Sequence, residues 1–297
     1  MNLRSVGLVG VGLMGHGIAL NVARKGYALT VLEHPGNQPL DPLKALGVKS
    51  CASLHELAAG VDALILCVTG SPQVEAILLG GQGALAALRP GSVIIDCSTA
   101  LPESTERMAE AAKAAGVRFI DAPMTRTPRE AAEGRLNLLV GGDRDVFDEC
   151  LPLLRAFAEN VTHTGAVGTG HRMKLLHNYV SLGTVALISE AAACAAAGEI
   201  SPQVFVDVLA SGGGGGVALE RLRPYMIDGD PQGLRFFMGN ALKDMAYYVS
   251  MAGQSGAALQ IADAVHGAYA FAVEHEGAQA LVPQLVTSLR NRRNEPH

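Results

Sequence analysis

The stretch Gly168-Thr169-Gly170-His171-Arg172-Met173-Lys174-Leu175-Leu176-His177-Asn178-Tyr179-Val180-Ser181 places an amine, an amide and a hydroxyl at the mouth of a long apolar run. Lys174, Asn178 and Ser181 are spaced i, i+4, i+7, so on a helix they share one face. Such a set can do acid–base chemistry on an alcohol or a carbonyl. The amine takes or gives a proton, and the hydroxyl donates a hydrogen bond. A free lysine titrates at about 10.4. Lys174 therefore either works as the acid or has its pKa lowered by burial and by nearby cations such as Arg126 or Lys243. The alternative is a solvated lysine early in a surface helix. His177 stands one residue off the Lys174 face, where it either lines a pocket or packs between domains.

Arg126 is the second residue with a chemical reading. Its guanidinium is a two-pronged donor suited to a carboxylate or sulfonate, and it follows a strand that ends at Asp121. Thr125 and Thr127 beside it, and Ser181 on the helix, supply hydroxyl donors. The alternative is a solvated loop arginine. The ligand such a set would take is a small anion.

Val6-Gly7-Leu8-Val9 runs directly into Gly10-Val11-Gly12-Leu13-Met14-Gly15, and helical apolar spacing follows. In a strand–loop–helix unit Gly10 permits the tight turn and Gly12 lets a pyrophosphate approach the backbone. Gly15 lets the helix pack near the strand. The loop, with Leu13 and Met14 in it, then presents free helix N–H groups to phosphates. A second strand, Ala28 to Leu32, ends at Glu33. A carboxylate there accepts hydrogen bonds from ribose hydroxyls and repels a 2′-phosphate, which favours NAD. His34 stands where a phosphate-binding cation would sit and keeps NADP as the alternative.

The elements that must position these groups alternate. Apolar runs Ala63–Val68, Ser92–Asp96, Arg118–Asp121 and Leu136–Val140 read as strands, with helical stretches between them and Leu136–Val140 closing the set. That order implies a doubly wound parallel sheet with ligands beyond the strand C-terminal ends. Val68, Thr69 and Thr99 lie at those ends. Beyond Gly170 no strand pattern appears. Arg172 to Ala197 reads as one helix roughly 40 Å long, apolar nearly all round, to be buried by other helices or by a second subunit. Gly212 to Gly216 reads as a flexible connection, and Ala257–Glu274 and Ala278–Arg290 as further helices. The expected division is a dinucleotide-binding domain over 1–167 and an all-helical domain over 168–297.

With 49% hydrophobic and 17% charged residues the chain can bury a large core, leaving only Asn291 to His297 as an expected disordered end. A net charge of -5 gives no support for a nucleic-acid surface. A strand begins at once after five residues, without a charged-then-apolar leader. The apolar run Tyr179–Ala197 is broken by Ser181, Gly183, Thr184, Ser189 and Glu190, which argues against a membrane span. A soluble, cytoplasmic protein is expected. The five scattered cysteines read as buried small hydrophobes, and no metal-ligand spacing is present.

Five segments in order resemble the β-hydroxyacid dehydrogenase family, the 3-hydroxyisobutyrate dehydrogenase-like enzymes. They are Gly10 to Gly15; Asp96-Cys97-Ser98-Thr99; Asp121-Ala122-Pro123 through Gly134 to Gly141-Gly142; Gly168-x-Gly170-x-x-x-Lys174 with Asn178; and Lys243-Asp244. The resemblance implies a Rossmann-like domain, a long interdomain helix and a helical domain, in homodimers or homotetramers. It implies reversible hydride transfer between NAD(P) and a short hydroxy acid. In the family the catalytic lysine corresponds to Lys174 and a substrate-orienting asparagine to Asn178. Thr99 would lie near the nicotinamide, and Lys243 would contact the cofactor region or close the site.

The chain departs from the family pattern where substrate is chosen. Thr125-Arg126-Thr127 replaces the usual Ser-Gly-Gly, and His177 precedes Asn178 in place of an asparagine. The Arg126-Thr127 pair with Asn178-Tyr179-x-Ser181 looks like the sulfolactaldehyde reductase branch, also associated with succinic-semialdehyde-type substrates. Thr125 stands where that branch has glycine. A reading of another class is a non-catalytic dinucleotide-binding sensor, against which the presence of Lys174 counts.

Overall fold

Short runs of Val, Ile and Leu between glycines favour strands buried on both faces, and in the computed structural model, which describes residues 3–292, they form them. In chain order the elements are β1 (Ser5–Val9), α1 (Leu13–Arg24), β2 (Ala28–Leu32), α2 (Asp41–Lys44), β3 (Lys49–Cys51), α3 (Leu54–Ala59), β4 (Ala63–Leu66), α4 (Ser71–Leu79), β5 (Val93–Asp96), α5 (Pro102–Ala114), β6 (Arg118–Asp121), β7 (Met124–Thr125), α6 (Pro128–Ala132), β8 (Leu136–Gly141), α7 (Arg144–Leu154) and β9 (Ala158–Gly165). Then come α8 (Thr169–Ala197), α9 (Pro202–Ser211), α10 (Val217–Asp228), α11 (Met238–Gln254), α12 (Gln260–Glu276) and α13 (Leu285–Asn291).

The strands form one sheet in the order β3-β2-β1-β4-β5-β6-β8-β7, with β9 also on β8. β1 through β6 pair in parallel. The chain order reverses between β1 and β4, the place where such sheets bind ligands. β8 runs antiparallel to β6 and β7 and parallel to β9, so the sheet is mixed at this side. Side chains such as Leu8, Ile65 and Ile95 pack under α1 and α7, while Leu64, Leu66 and Ile94 pack under α3, α4 and α5.

The expectation that Leu136–Val140 closes the strand set is corrected by β9. All of its residues but Ala158 are exposed or half-buried, and half-solvated strands carry no continuous apolar run to betray them. β3 and β7, of three and two residues, are too short for any periodicity to show.

The compact units are Met1–Lys174 and Leu175–His297, so the division falls inside α8, whereas the sequence reading placed it at 167/168. The helix begins at Thr169, three residues before the expected start, and its first turns belong with the sheet. In the second unit Leu175, Leu182, Val185 and Ile188 of α8 share a core with Met245 and Tyr248 of α11 and Val265 and Tyr269 of α12. Tyr269 Oη donates to Leu182 O at 3.0 Å. Among the described residues α8 alone is long and apolar enough to cross a membrane, yet it contributes to this core. It is not buried all round: Val180 is 66% and Leu187 64% exposed. The glycine run 212–216 joins α9 to α10. The stretch expected as one helix over 278–290 instead starts with the 3₁₀ turn Val282–Gln284, where Pro283 removes a backbone donor. Residues 293–297 of the expected disordered end lie outside the described residues. Of the cysteines, Cys97 and Cys150 are buried, but Cys194 is exposed, against the expectation for all five.

Candidate active site

The glycine loop is dictated by space. Gly10 has φ +95, and a Cβ on it would lie 2.3 Å from Cys67 O at the end of β4. A Cβ on Gly15 would lie 1.9 Å from Gly10 O, so α1 crosses its own strand end at a distance only glycine allows. A Cβ on Gly12 would meet nothing within 4 Å. The loop is thus closed toward the protein and open at Gly12, where the first-turn N–H groups of α1 point outward. These residues fit a dinucleotide pyrophosphate, with Leu13 and Met14 half-buried beside it.

Glu33, just past β2, accepts a hydrogen bond from Ser50 Oγ at 2.6 Å. Glu33, His34, Asn37 and Lys44 line an open depression of about 520 Å³. Lys44 is a cation on this wall that no motif in the sequence singles out. The His34 ring accepts from Gly36 N at 3.0 Å. At the next strand ends Val68 N donates to Ser98 Oγ at 3.1 Å, which couples the turn after β4 to the turn after β5. Thr69 is exposed and Thr99 half-buried on these two turns.

The first turn of α8 docks on the sheet by its backbone. Asp121, fully buried at the end of β6, accepts from Gly168 N at 2.8 Å and from His171 N at 2.7 Å. Gly168 has φ +88. A Cβ on Gly170 would lie 2.4 Å from Leu139 O of β8. The Gly-x-Gly spacing therefore lets a helix end lie against two strand ends, and Lys174 follows one turn later. Burial pushes the Asp121 carboxyl up, and the His171 ring with the two backbone N–H groups pulls it back. His171, Asp96 and Asp121 form a wholly buried polar cluster. No role was read for them from the sequence, although an acidic residue closing a buried strand is itself a signal.

Lys174 is half-buried. In the second unit Asn178 is buried and donates through Nδ2 to Asp244 Oδ2 at 2.6 Å. The Lys243 ammonium lies 2.9 Å from Asp244 Oδ1 and 4.9 Å from the Tyr247 ring centroid. Asp244 thus holds the Asn178 amide, a role its adjacency to Lys243 did not reveal. The exposed His177 places Nδ1 3.1 Å from Asn178 Oδ1. Ser181 Oγ donates to Asn178 O at 3.3 Å. His177, the Asn178 amide and Lys243 are in this way linked through the Asp244 carboxylate, while Ser181 bonds the backbone of its own helix.

Thr125 is buried and accepts from Asn137 Nδ2 at 3.1 Å. Thr127 donates through its hydroxyl to Glu130 in the first turn of α6. Arg126 sits between them at φ 81, a conformation that L side chains rarely adopt. Its guanidinium donates to Arg135 O and to Glu159, and it holds the Glu159 carboxyl below its ordinary range.

Residues 5–165 match the family described as the NAD binding domain of 6-phosphogluconate dehydrogenase. Residues 168–289 match the NAD-binding family of NADP-dependent 3-hydroxyisobutyrate dehydrogenase. An oxidoreductase of Synechocystis is 34% identical over 250 residues, 82% of this chain and 84% of the relative. The NAD-dependent L-serine dehydrogenase of Pseudomonas aeruginosa is 30% identical over 75% of this chain and 74% of its own length. The crystal structure of 3-hydroxyisobutyrate dehydrogenase from Salmonella typhimurium superposes with a TM-score of 0.85 at 27% identity, covering 95% of this chain and 99% of that one. Matches that run from the glycine loop through the helical unit, in sequence and in fold, lead to one conclusion: the chain belongs to the β-hydroxyacid dehydrogenase family of NAD(P)-dependent oxidoreductases.

Proposed function

We propose that the protein oxidises a short acidic β-hydroxy compound, or reduces the matching semialdehyde, with Lys174 as the general acid/base. The observation that carries this reading is the docking of the α8 first turn on β6 and β8 by Asp121 and Gly170, one turn ahead of Lys174. A bound nicotinamide cofactor would supply the hydride acceptor for oxidation and the hydride donor for reduction. Lys174 Nζ takes the hydroxyl proton as the alcohol is oxidised and gives it back to the carbonyl oxygen on reduction. Asn178, its amide oriented by Asp244, aligns the substrate. Gly10, Gly12 and Gly15 with Leu13 and Met14 receive the pyrophosphate, while Val68, Thr69, Thr99 and Lys243 flank the nicotinamide end. Glu33, pinned by Ser50, takes the adenosine ribose and favours NAD over NADP.

Arg126, Thr125, Thr127 and Ser181 receive the anionic group, with His177 beside them. The substrate anion competes with Glu159 for Arg126 in this reading. The Arg126-Thr127 pair together with Asn178, Tyr179 and Ser181 supports a second reading, in which the anion is that of sulfolactaldehyde or succinic semialdehyde. The exposed apolar residues of α8, Val180 and Leu187 among them, support a homodimer or homotetramer. We place the protein in the cytoplasm.

The test is a panel: NAD reduction with 3-hydroxyisobutyrate, L-serine and L-threonate, and NADH oxidation with succinic semialdehyde and 3-sulfolactaldehyde. Turnover is expected with at least one, and Lys174→Ala should lower kcat by about 10²–10⁴ while NADH fluorescence titration gives an unchanged Kd. An active Lys174→Ala enzyme sinks the assignment. Tight NADH binding with no turnover on any acid would favour a sensor.

A further inference from the structure

We propose that His171 is a positioning residue: its ring ties the start of α8 to the strand-end turns that carry Val68, Ser98 and Thr99, so that Lys174 and those turns are held as one body. His171 is fully buried, and both ring nitrogens are engaged. Nε2 lies 3.1 Å from Ser98 O, and Nδ1 lies 2.7 Å from Thr105 Oγ1 on α5. A carbonyl oxygen only accepts, so Nε2 carries a proton. Thr105 Oγ1 is also 3.1 Å from Leu101 O, which links the cluster to the start of α5.

The connection continues outward. Ser98 N donates to Asp96 Oδ1 at 2.9 Å, and Ser98 Oγ accepts from Val68 N at 3.1 Å. The charged groups facing the ring are the carboxylates of Asp121, 3.7 Å from Nδ1, and Asp96, 4.0 Å from Nε2. Desolvating an imidazole and two carboxylates is costly, and an apolar residue of similar size would fill the space with less penalty. What an apolar side chain cannot supply is direction. The ring joins α8, α5 and the end of β5 at fixed distances, with Asp121 of β6 against its other side. Lys174 lies three residues on, less than one helical turn away. A tilt of the first turn of α8 is therefore delivered to the lysine, where displacements of about 1 Å can cost on the order of 10²-fold in rate.

This inference rests on the reading of Lys174 as the proton-transfer group. Its test is the single-turnover hydride-transfer rate with 3-hydroxyisobutyrate and NAD, expressed per NADH-binding site, in wild type, His171→Leu, His171→Gln and Thr105→Val. His171→Leu should lose at least about tenfold per site with the KM for 3-hydroxyisobutyrate within about threefold of wild type. His171→Gln, whose amide can donate toward Ser98 O and accept from Thr105, should recover to within about threefold. A purely structural role would reduce the number of NADH-binding sites and leave the rate per site unchanged, which overturns the proposal. A Gln variant as slow per site as the Leu variant overturns it as well. If His171→Leu does not fold, Thr105→Val decides: at least a threefold loss per site supports the proposal, and an unchanged rate rejects it. Should Lys174→Ala be active, the functional reading itself fails. If Lys174→Ala is inactive while His171→Leu keeps its rate, only the positioning role falls.

Discussion

At its first turn α8 is held by hydrogen bonds and close backbone contact, while from Leu175 onward apolar packing predominates, with the Asn178–Asp244 and Tyr269–Leu182 hydrogen bonds set within it. Asp121 accepts from Gly168 N just before the helix and from His171 N in its first turn, and Gly170 brings the helix against Leu139 O. Beyond that, Leu175, Leu182, Val185 and Ile188 share a core with α11 and α12, and the opposite side exposes Val180 and Leu187. The difference teaches why the chemistry sits at the beginning. Hydrogen bonds and steric limits define position to a few tenths of an ångström, whereas apolar contacts tolerate repacking. Lys174 stands at the end of the part that is held by direction.

The same substitution placed in each part sharpens this contrast. Gly170→Ala puts a Cβ 2.4 Å from Leu139 O and 2.7 Å from Asp121 Oδ2, and should cost at least about 2 kcal/mol, read as a lowered midpoint in urea. Gly183→Ala, in the packed part of the same helix, meets only Val265 Cγ2 at 3.8 Å, and should stabilise by about 0.5–1 kcal/mol. Equal effects at the two positions would erase the distinction.

Asp244→Ala should cost about 1–3 kcal/mol, because it leaves the buried Asn178 amide without its acceptor. In steady-state assays it should lower kcat/KM through loss of substrate alignment, and a KM and kcat at wild-type values would remove Asn178 from the site. The smallest change in stability is expected on the solvent side of α8. Val180→Glu with Leu187→Glu should leave the urea midpoint of the individual chain within about 0.5 kcal/mol while reducing the assembly seen by light scattering. An unchanged mass would show that this face is not the subunit contact.

Much of the first unit was readable because its signals are local. The turn at Gly10 and the apolar runs of β1, β4 and β5 are written in adjacent residues, and the Lys174–Asn178–Ser181 face follows from helical geometry. β9 was missed because a half-solvated strand lacks such a run. Partners were missed because they are distant: His171 and Ser98 are 73 residues apart, Asn178 and Asp244 66, and Arg126 and Glu159 33. Arg126 stands out in the sequence as a fork for an anion, yet only the fold pairs it with Glu159 and gives it a left-handed backbone.

The sequence by itself determined the alternating architecture, the phosphate loop and the amine-bearing helix, since backbone sterics and hydrophobic periodicity act over a few residues. The tertiary structure alone decided what holds those groups in place. Hydrogen bonds from the α8 backbone to Asp121, from Asn178 to Asp244 and from His171 to the turn after β5 depend on chain segments that meet only when the sheet and the helices close.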